Sequence, residues 1–448
     1  MLLKRHPLLL LMLPFWWLKG RPAFRQQVAD RVDLDVTRLP FHQPLLDVLR
    51  VQHSQGRRLI LVTDANLMTY AEQIARYLGI FESILACDQD ADLSGKPTSE
   101  RLVSTFGAGG FDYVGHAATD LHVWRYARAA IVVNARSALV RRVAAPTSVE
   151  QVFTPIPIGI WAFLNAIRLH QWAKNALVFV PLAAAHQMLN PLLLAQAGIA
   201  FLAFGCFASS VYVLNDLFDL AADRQHPTKC RRAFAAGIIP VQHGLMLIPV
   251  LLVPGFLLAL LLPYWFGTSL GLYYVLTLAY SLRLKQLVLV DVLTLAGLYT
   301  LRIIAGGAAT DIPLSFWLLA FSMFLFLSLA LVKRTSELLV CRDAARDAAA
   351  GRDYRTTDLE TLAQFGVTSG YLAVLVLALY IDSPSVVTLY SEPWMLWLLC
   401  PVLLYWISRV WLLTRRGELH EDPMVFALTD RTSYGLFALV AGILWRAS

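Results

Sequence analysis

Three carboxylates stand at helical spacing in Asn215-Asp216-Leu217-Phe218-Asp219-Leu220-Ala221-Ala222-Asp223, which closes an apolar run that starts near Leu193. On one helix, Asp216, Asp219 and Asp223 lie three and four residues apart and share a face. Acids on one face repel each other, and the end of an apolar helix is a costly place to leave them uncompensated. A hard divalent cation relieves that repulsion. Mg²⁺ takes oxygen ligands and keeps positions for water and substrate phosphates. Arg224, Lys229, Arg231 and Arg232 follow at once. Acids for a metal, then bases for phosphate, suit a site that handles a diphosphate at a membrane surface. The plainer explanation is a solvated helix end followed by a basic cytosolic loop.

Membrane helices are the elements that must position these groups. The 448-residue chain is 57% hydrophobic and only 15% charged, with a mean hydropathy of +0.57. It is too apolar for a soluble globule, and a polytopic membrane protein is predicted. The net charge of +7 does not point to nucleic acid, because the basic residues sit mostly in short loops between apolar runs. Cys87, Cys206, Cys230, Cys341 and Cys400 show neither metal-ligand nor disulfide spacing.

About nine apolar segments approach bilayer length: 172–187, 194–217, 242–262, 265–281, 288–309, 314–332, 366–382, 393–413 and 432–446. Alternate loops are basic, around Arg224 to Arg232, Arg283 and Lys285, Lys333 to Arg355, and Arg415 to Arg431. The loops near Asn190, Pro263, Thr310 and Pro384 carry no Lys or Arg. The asymmetry predicts that the basic loops, the aspartate stretch and the N-terminal part face the cytosol.

Further polar groups fall on the same predicted side. Tyr280-Ser281-Leu282-Arg283-Leu284-Lys285 ends one span, and Asp291 opens the next. An acid entering a membrane helix needs a cation, and Asp291 reads either as a second carboxylate for metal or as an acid reaching solvent. Arg302 lies about three turns deeper, so it should meet an acid or a phosphate. Lys174 and Asn175 open the first span after Gln171-Trp172. Lys333 and Arg334 end the sixth, where the plainer reading is a positive-inside anchor.

Residues 1–150 have a different pattern. Lys4, Arg5 and His6 precede the apolar run Leu8 to Leu18, with no small-residue cleavage site after it. A helix seated on the membrane surface through Phe15, Trp16 and Trp17 is expected. Strands are predicted at 58–64, 111–115 and 130–134 with helices between them, which argues for a small parallel sheet. This part resembles the haloacid-dehalogenase-like (HAD) fold. Thr63 ends the second motif strand, and Lys96 stands where the family lysine contacts phosphate. His116 replaces the first acid of the fourth motif, and Asp120 keeps the second. Asp33-Leu34-Asp35-Val36-Thr37 matches the nucleophile string, but residues 26–31 ahead of it are too polar for a buried strand. It also lies too close to Thr63 for the usual cap. The resemblance therefore implies a truncated HAD-like domain, begun inside the cap and without a nucleophile, and a docking or regulatory role. Residues 151–165, with Pro155 and Pro157, are expected to be a linker leading into an interfacial helix.

Residues 166–448 resemble the UbiA superfamily of intramembrane prenyltransferases. The motifs are Asn215-Asp216-x-x-Asp219-x-x-x-Asp223, His226-Pro227-x-Lys229-x-x-Arg232, Tyr280-Ser281-x-x-Leu284-Lys285 with Asp291, and Arg168-x-x-Gln171-Trp172-x-Lys174-Asn175. Within the superfamily, His226-Pro227-Thr228-Lys229 and Gln171-Trp172-Ala173-Lys174-Asn175 resemble the decaprenyl-phosphate phosphoribosyltransferase branch. Two departures stand out. Asp291 is followed by Leu295, where aromatic prenyltransferases usually carry a second acid, and Arg232 is followed by Ala233 and not by proline.

The resemblance implies a multi-pass α-helical bundle in a bacterial inner membrane, with the small α/β domain and the mouth of the site cytoplasmic. It implies Mg²⁺, a polyprenyl lipid and a diphosphate-bearing co-substrate. Metal ligands would be Asp216, Asp219, Asp223 and Asp291, with Asn215 assisting. Substrate phosphates would meet Lys174, Asn175, Lys229, Arg232, Arg283, Lys285 and Arg302, and Tyr280 would orient the acceptor. Phosphoribosyl transfer to a polyprenyl phosphate is the first expectation. Prenyl transfer to an aromatic or quinone-precursor ring is the second. A secondary transporter also places acids and bases inside a membrane; against it, the charges other than Arg302 gather at one face and not at midplane.

Overall fold

The computed structural model describes residues 35–64, 67–87, 95–154, 159–225, 228–345, 347–348, 352–383, 386, 389–419 and 423–447. The expected N-terminal surface helix, the Asp33-Leu34 part of the nucleophile-like string, Pro155, Pro157, His226 and Pro227 lie outside these residues. The chain divides into two compact units. The first runs to Ala166 and includes Asp216–Gly244; the second comprises Ile167–Asn215 and Leu245–Ser448.

The first unit begins with helix α1 (Gln43–Ser54). Strand β1 (Ile60–Asp64), helix α2 (Met68–Leu78), strand β2 (Ser83–Cys87) and helix α3 (Lys96–Phe106) follow. Then come β3 (Asp112–Gly115), β4 (Ala129–Val133), helix α4 (Ser137–Ala144) and β5 (Ser148–Phe153). β1 and β2 form a parallel pair, and β3, β4 and β5 form a parallel sheet with β4 in the middle. β4 reads Ala-Ala-Ile-Val-Val and all five residues are buried, as an unbroken apolar run in a parallel sheet should be. β2 and β5 were not among the predicted strands. Residues 151–153, expected in the linker, belong to β5. Asp112, at the start of β3, holds both Arg57 and Arg128. Asp120 accepts the backbone N–H groups of His116 at 2.8 Å and Ala117 at 2.9 Å, closing the turn after β3.

The second unit is helical. Residues Leu169–Phe179 form a 3₁₀ segment that leads into a five-residue α-turn, Val180–Ala184. The long helices are α5 (Pro191–Phe218), α7 (Val241–Ala259), α8 (Tyr264–Leu282), α9 (Val290–Thr310) and α10 (Phe316–Asp343). Helices α11 (Leu359–Ile381), α12 (Leu399–Arg415) and α13 (Arg431–Ala447) complete it. The short helix α6 (Leu220–Gln225) belongs to the aspartate segment. Among the described residues, six helices are long and apolar enough to cross a membrane: α5, α7, α9, α10, and those containing α11 and α12. Three of the nine predicted segments fall short of that. The stretch 172–187 is 3₁₀ as far as Phe179 and α-helical only over Val180–Ala184, α8 is interspersed with tyrosine and hydroxyl side chains, and α13 has only 17 residues.

Two close approaches fix the 3₁₀ segment. The Trp172 ring lies against Gly205 of α5, where a β-carbon would stand 2.7 Å from it. Its Nε1–H donates to Ser209 Oγ at 2.9 Å, and that hydroxyl donates to the Ile167 carbonyl at 2.7 Å. At the other end, the Val178 carbonyl rests on Gly306 of α9, leaving no room for a side chain there. Small residues that let backbones meet, and hydroxyls that bond across helices, are the usual means of packing helices in lipid. The same logic joins α10, α11 and α12: Ser328 Oγ donates to the Gly366 carbonyl at 2.7 Å and accepts from Trp411 Nε1 at 3.0 Å.

Candidate active-site residues

The aspartate segment sits where α5 ends. Asn215 and Asp216 lie in its last turn, Asp219 links it to α6, and Asp223 lies within α6. The helix therefore does not run unbroken through the acids, although the Asp223 N–H still bonds to the Asp219 carbonyl at 2.8 Å. Asp216 and Asp223 are 5% and 4% exposed. Both point at one nitrogen: Nη1 of Arg232 lies 3.2 Å from Asp216 Oδ1 and 2.7 Å from Asp223 Oδ2. Lys229 opens a 3₁₀ turn that ends at Arg231, and Arg232 caps it. Arg232, expected to contact substrate phosphate, thus spans two of the three acids.

Two buried carboxylates that converge on one cationic atom make a hard-oxygen seat. That donor set fits Mg²⁺, which needs few protein ligands when water and phosphate supply the rest. Among the described residues, no three His, Cys, Asp or Glu side chains gather closely enough to hold a metal ion on their own. Two protein carboxylates with substrate oxygens would be the arrangement.

Asp291 opens α9 in the second unit and is fully buried. Arg334 Nε approaches its Oδ2 at 2.8 Å, and Arg352 Nη1 its Oδ1 at 3.0 Å. The Tyr280 hydroxyl donates to Oδ1 at 2.8 Å. Glu337 pairs with Arg334 and lies 3.4 Å from Arg352 Nε. The Tyr354 hydroxyl accepts the Leu289 N–H at 2.9 Å, where the backbone has φ +64°. Burial works against the Arg352 charge, but Glu337, Tyr280 and Asp291 outweigh it, and its pKa is raised above the usual arginine value. Sequence reasoning joined Tyr280 to Asp291 but did not include Arg334 or Arg352. Arg334 carried the signal that singled out Arg302, a guanidinium inside an apolar helix; Arg352, in a polar loop, carried none. Of the two basic residues after α8, Arg283 is exposed and Lys285 half-buried.

Lys174, Asn175 and Arg302 form another buried polar group of the second unit. They are 7%, 1% and 4% exposed. Arg302 donates from Nε to Asn175 Oδ1 at 3.1 Å, from Nη1 to the Leu298 carbonyl at 2.7 Å and from Nη2 to the Tyr273 hydroxyl at 2.9 Å. Its guanidinium carbon lies 4.7 Å from the Tyr273 ring centre and 5.6 Å from that of Tyr299. Lys174 Nζ lies 5.8 Å from the Tyr299 ring centre. Arg302 was expected to meet an acid or a phosphate; its protein partners here are a carbonyl, an amide, a phenol and aromatic faces.

An uncharacterized protein of Sinorhizobium fredii, y4nM, is 36% identical over 429 residues, 95% of this chain and 82% of that protein. The nodulation protein NoeC of Azorhizobium caulinodans is 36% identical over 62% of this chain and 90% of its own length. A decaprenyl-phosphate phosphoribosyltransferase of Mycobacterium tuberculosis is 36% identical over 50% of this chain and 76% of that enzyme. The model of the UbiA prenyltransferase family matches residues 176–433. That match takes in the aspartate segment, the buried Asp291 group, Arg302 and all six membrane-length helices, and the chain belongs to the UbiA prenyltransferase family.

Proposed function

We propose that this family member transfers a phosphoribosyl group from phosphoribosyl diphosphate to a polyprenyl phosphate. The observation that carries the proposal is the convergence of Asp216 and Asp223 on the single cationic Nη1 of Arg232. The relative from Mycobacterium tuberculosis supports the choice of reaction. So does the segment Gln171-Trp172-Ala173-Lys174-Asn175.

In this reading the bond from the ribose anomeric carbon to the diphosphate breaks, and a phosphate oxygen of the lipid forms the new bond to that carbon. Asp216 and Asp223 would hold Mg²⁺ through carboxylate oxygens, with Asn215 and Asp219 of the same segment. Bound Mg²⁺ would neutralise the charge that gathers on the departing diphosphate. Lys229 and Arg232 would take diphosphate oxygens, the lysine as a point charge and the arginine as a fork. Asp291 holds Arg334, Arg352 and the Tyr280 hydroxyl, and we assign it the work of fixing that phenol to orient the acceptor. The apolar helices dissolve the isoprenoid tail. Residues 1–150 act in this reading as a non-catalytic module.

Membranes containing the protein, given labelled phosphoribosyl diphosphate and polyprenyl phosphate, test the reaction. Asp216→Ala and Asp219→Ala should each lower product formation at least ~100-fold, the scale of lost charge stabilisation. Undiminished product from both variants would remove the metal role. Transfer of prenyl groups to an aromatic acid, with no phosphoribosyl product, would establish the second chemistry.

A further inference from the structure

We propose that the end of the α/β unit where its strands begin docks on anionic lipid headgroups. Parallel strands joined by helices put every strand start and every returning helix end on one side. Three contacts hold that side together here. Arg57, just before β1, pairs with Asp112 at the start of β3. The Gly109 N–H, ahead of β3, donates to the Tyr126 carbonyl, ahead of β4, at 2.8 Å. The Thr147 hydroxyl, between α4 and β5, donates to the Trp124 carbonyl. Both sheets therefore begin at the same end of the unit.

That end is basic. Arg76 lies in the last turn of α2, Arg141 and Arg142 lie in the last turn of α4, and Arg125 caps the short helix Leu121–Trp124. All four are exposed. The acids of this end are already engaged: Asp112 holds Arg57 and Arg128, and Glu82 pairs with Arg58 at 2.7 Å. Cations at helix ends complement the macrodipole, but the dipole does not call for the apolar and aromatic groups beside them. Val51, Tyr77 and Tyr126 stand at the same end, 55%, 52% and 48% exposed. Exposed tyrosine beside arginine suits the headgroup layer, where the ring sits at the interface and the guanidinium takes phosphate oxygens. The chain itself brings lipid close. The second unit, which carries the membrane-length helix α9 and those that follow it, starts at Ile167, soon after β5 ends at Phe153. A tether of that kind raises the effective concentration of headgroups at the face. The docking is independent of which group the second unit transfers.

Arginine footprinting of the full-length protein in lipid nanodiscs tests the contact, with phenylglyoxal as the reagent and mass spectrometry as the readout. Discs of phosphatidylcholine alone are compared with discs of phosphatidylcholine and phosphatidylglycerol in equal parts. In the anionic discs at low salt, Arg76, Arg125, Arg141 and Arg142 should react about fivefold more slowly, the scale of one basic residue at an anionic surface. Salt at about 1 M should remove the difference, because the Debye length falls to ~3 Å. Arg136 is exposed at the N-cap of α4, the opposite end of that helix, and serves as the internal control; its rate should be the same in both discs. The double variant Arg141→Gln with Arg142→Gln should bring Arg76 and Arg125 back to within about twofold of their rates in neutral discs, as each arginine lost weakens the attraction. Equal rates in the two discs would overturn the proposal, whether the face is bare or covered by protein. So would slowing that includes Arg136, or slowing that persists at high salt.

Discussion

Replacing Arg232 by glutamine separates the protein charge in the aspartate segment from the metal it is proposed to hold. Nη1 of Arg232 is 3.2 Å from one carboxylate oxygen and 2.7 Å from the other, so those oxygens are at most about 6 Å apart. Two like charges at that distance repel by roughly 3 kcal/mol at an effective dielectric constant of about 20. Removing one partner of a buried ion pair costs about 3–5 kcal/mol. The Arg232 side chain keeps 30% of its surface exposed, so the lower end, about 3 kcal/mol, is expected. Thermal unfolding of the purified protein reads this out, in chelator and in Mg²⁺. Arg232→Gln should melt well below wild type in chelator. Mg²⁺ should then raise its melting temperature more than it raises that of wild type, because a ligand that binds only the folded state stabilises it. Adding Asp216→Asn and Asp223→Asn should abolish the recovery. A variant that melts with wild type in chelator, or a loss that Mg²⁺ leaves untouched, would refute the reasoning.

Two further perturbations probe the second unit. Arg334→Met leaves the fully buried Asp291 short of one guanidinium and should cost about 3 kcal/mol. Combining it with Asp291→Asn should cost less than the two losses together, by about 0.5–3 kcal/mol; strictly additive melts would show that the pair is not coupled. Gly306→Ala puts a β-carbon into the Val178 carbonyl and should destabilise by about 1–3 kcal/mol. An unshifted melting temperature would show that the 3₁₀ segment does not pack there.

The legible parts of the chain were those where composition and burial agree. The apolar run from Leu193 to the aspartates is one helix, α5, because it contains no proline and its apolar surroundings leave the backbone to bond to itself. β4 was legible for the same reason. β2 has five residues, of which only Ile84 and Leu85 are large and apolar, so its run is too short to stand out. β5 alternates exposed and half-buried residues, which from sequence resembles the approach to a proline-rich linker. The stretch 172–187 has the hydropathy of a span, but Trp172 on Gly205 and Val178 on Gly306 hold it as a tight 3₁₀ turn. Only partners distant in sequence make those contacts.

The site was legible as a set of residue types and not as a set of pairs. Spacing brought the aspartates forward, and the structure added that Arg232 spans two of them. Asp291 stood out as a lone acid; that it meets Arg334 and Arg352 depends on a helix end and a loop 43 and 61 residues away. Arg302 stood out as a buried charge, and its neutral partners Asn175 and Tyr273 come from residues 127 and 29 positions earlier.

The most direct measurement is mass spectrometry of lipids extracted from cells with and without the protein. Phosphoribosyl transfer predicts a new lipid heavier than the host polyprenyl phosphate by one phosphoribosyl group, which Asp216→Ala fails to produce. A lipid profile unchanged by the wild-type protein, or a new product that carries a prenylated aromatic ring, would contradict it.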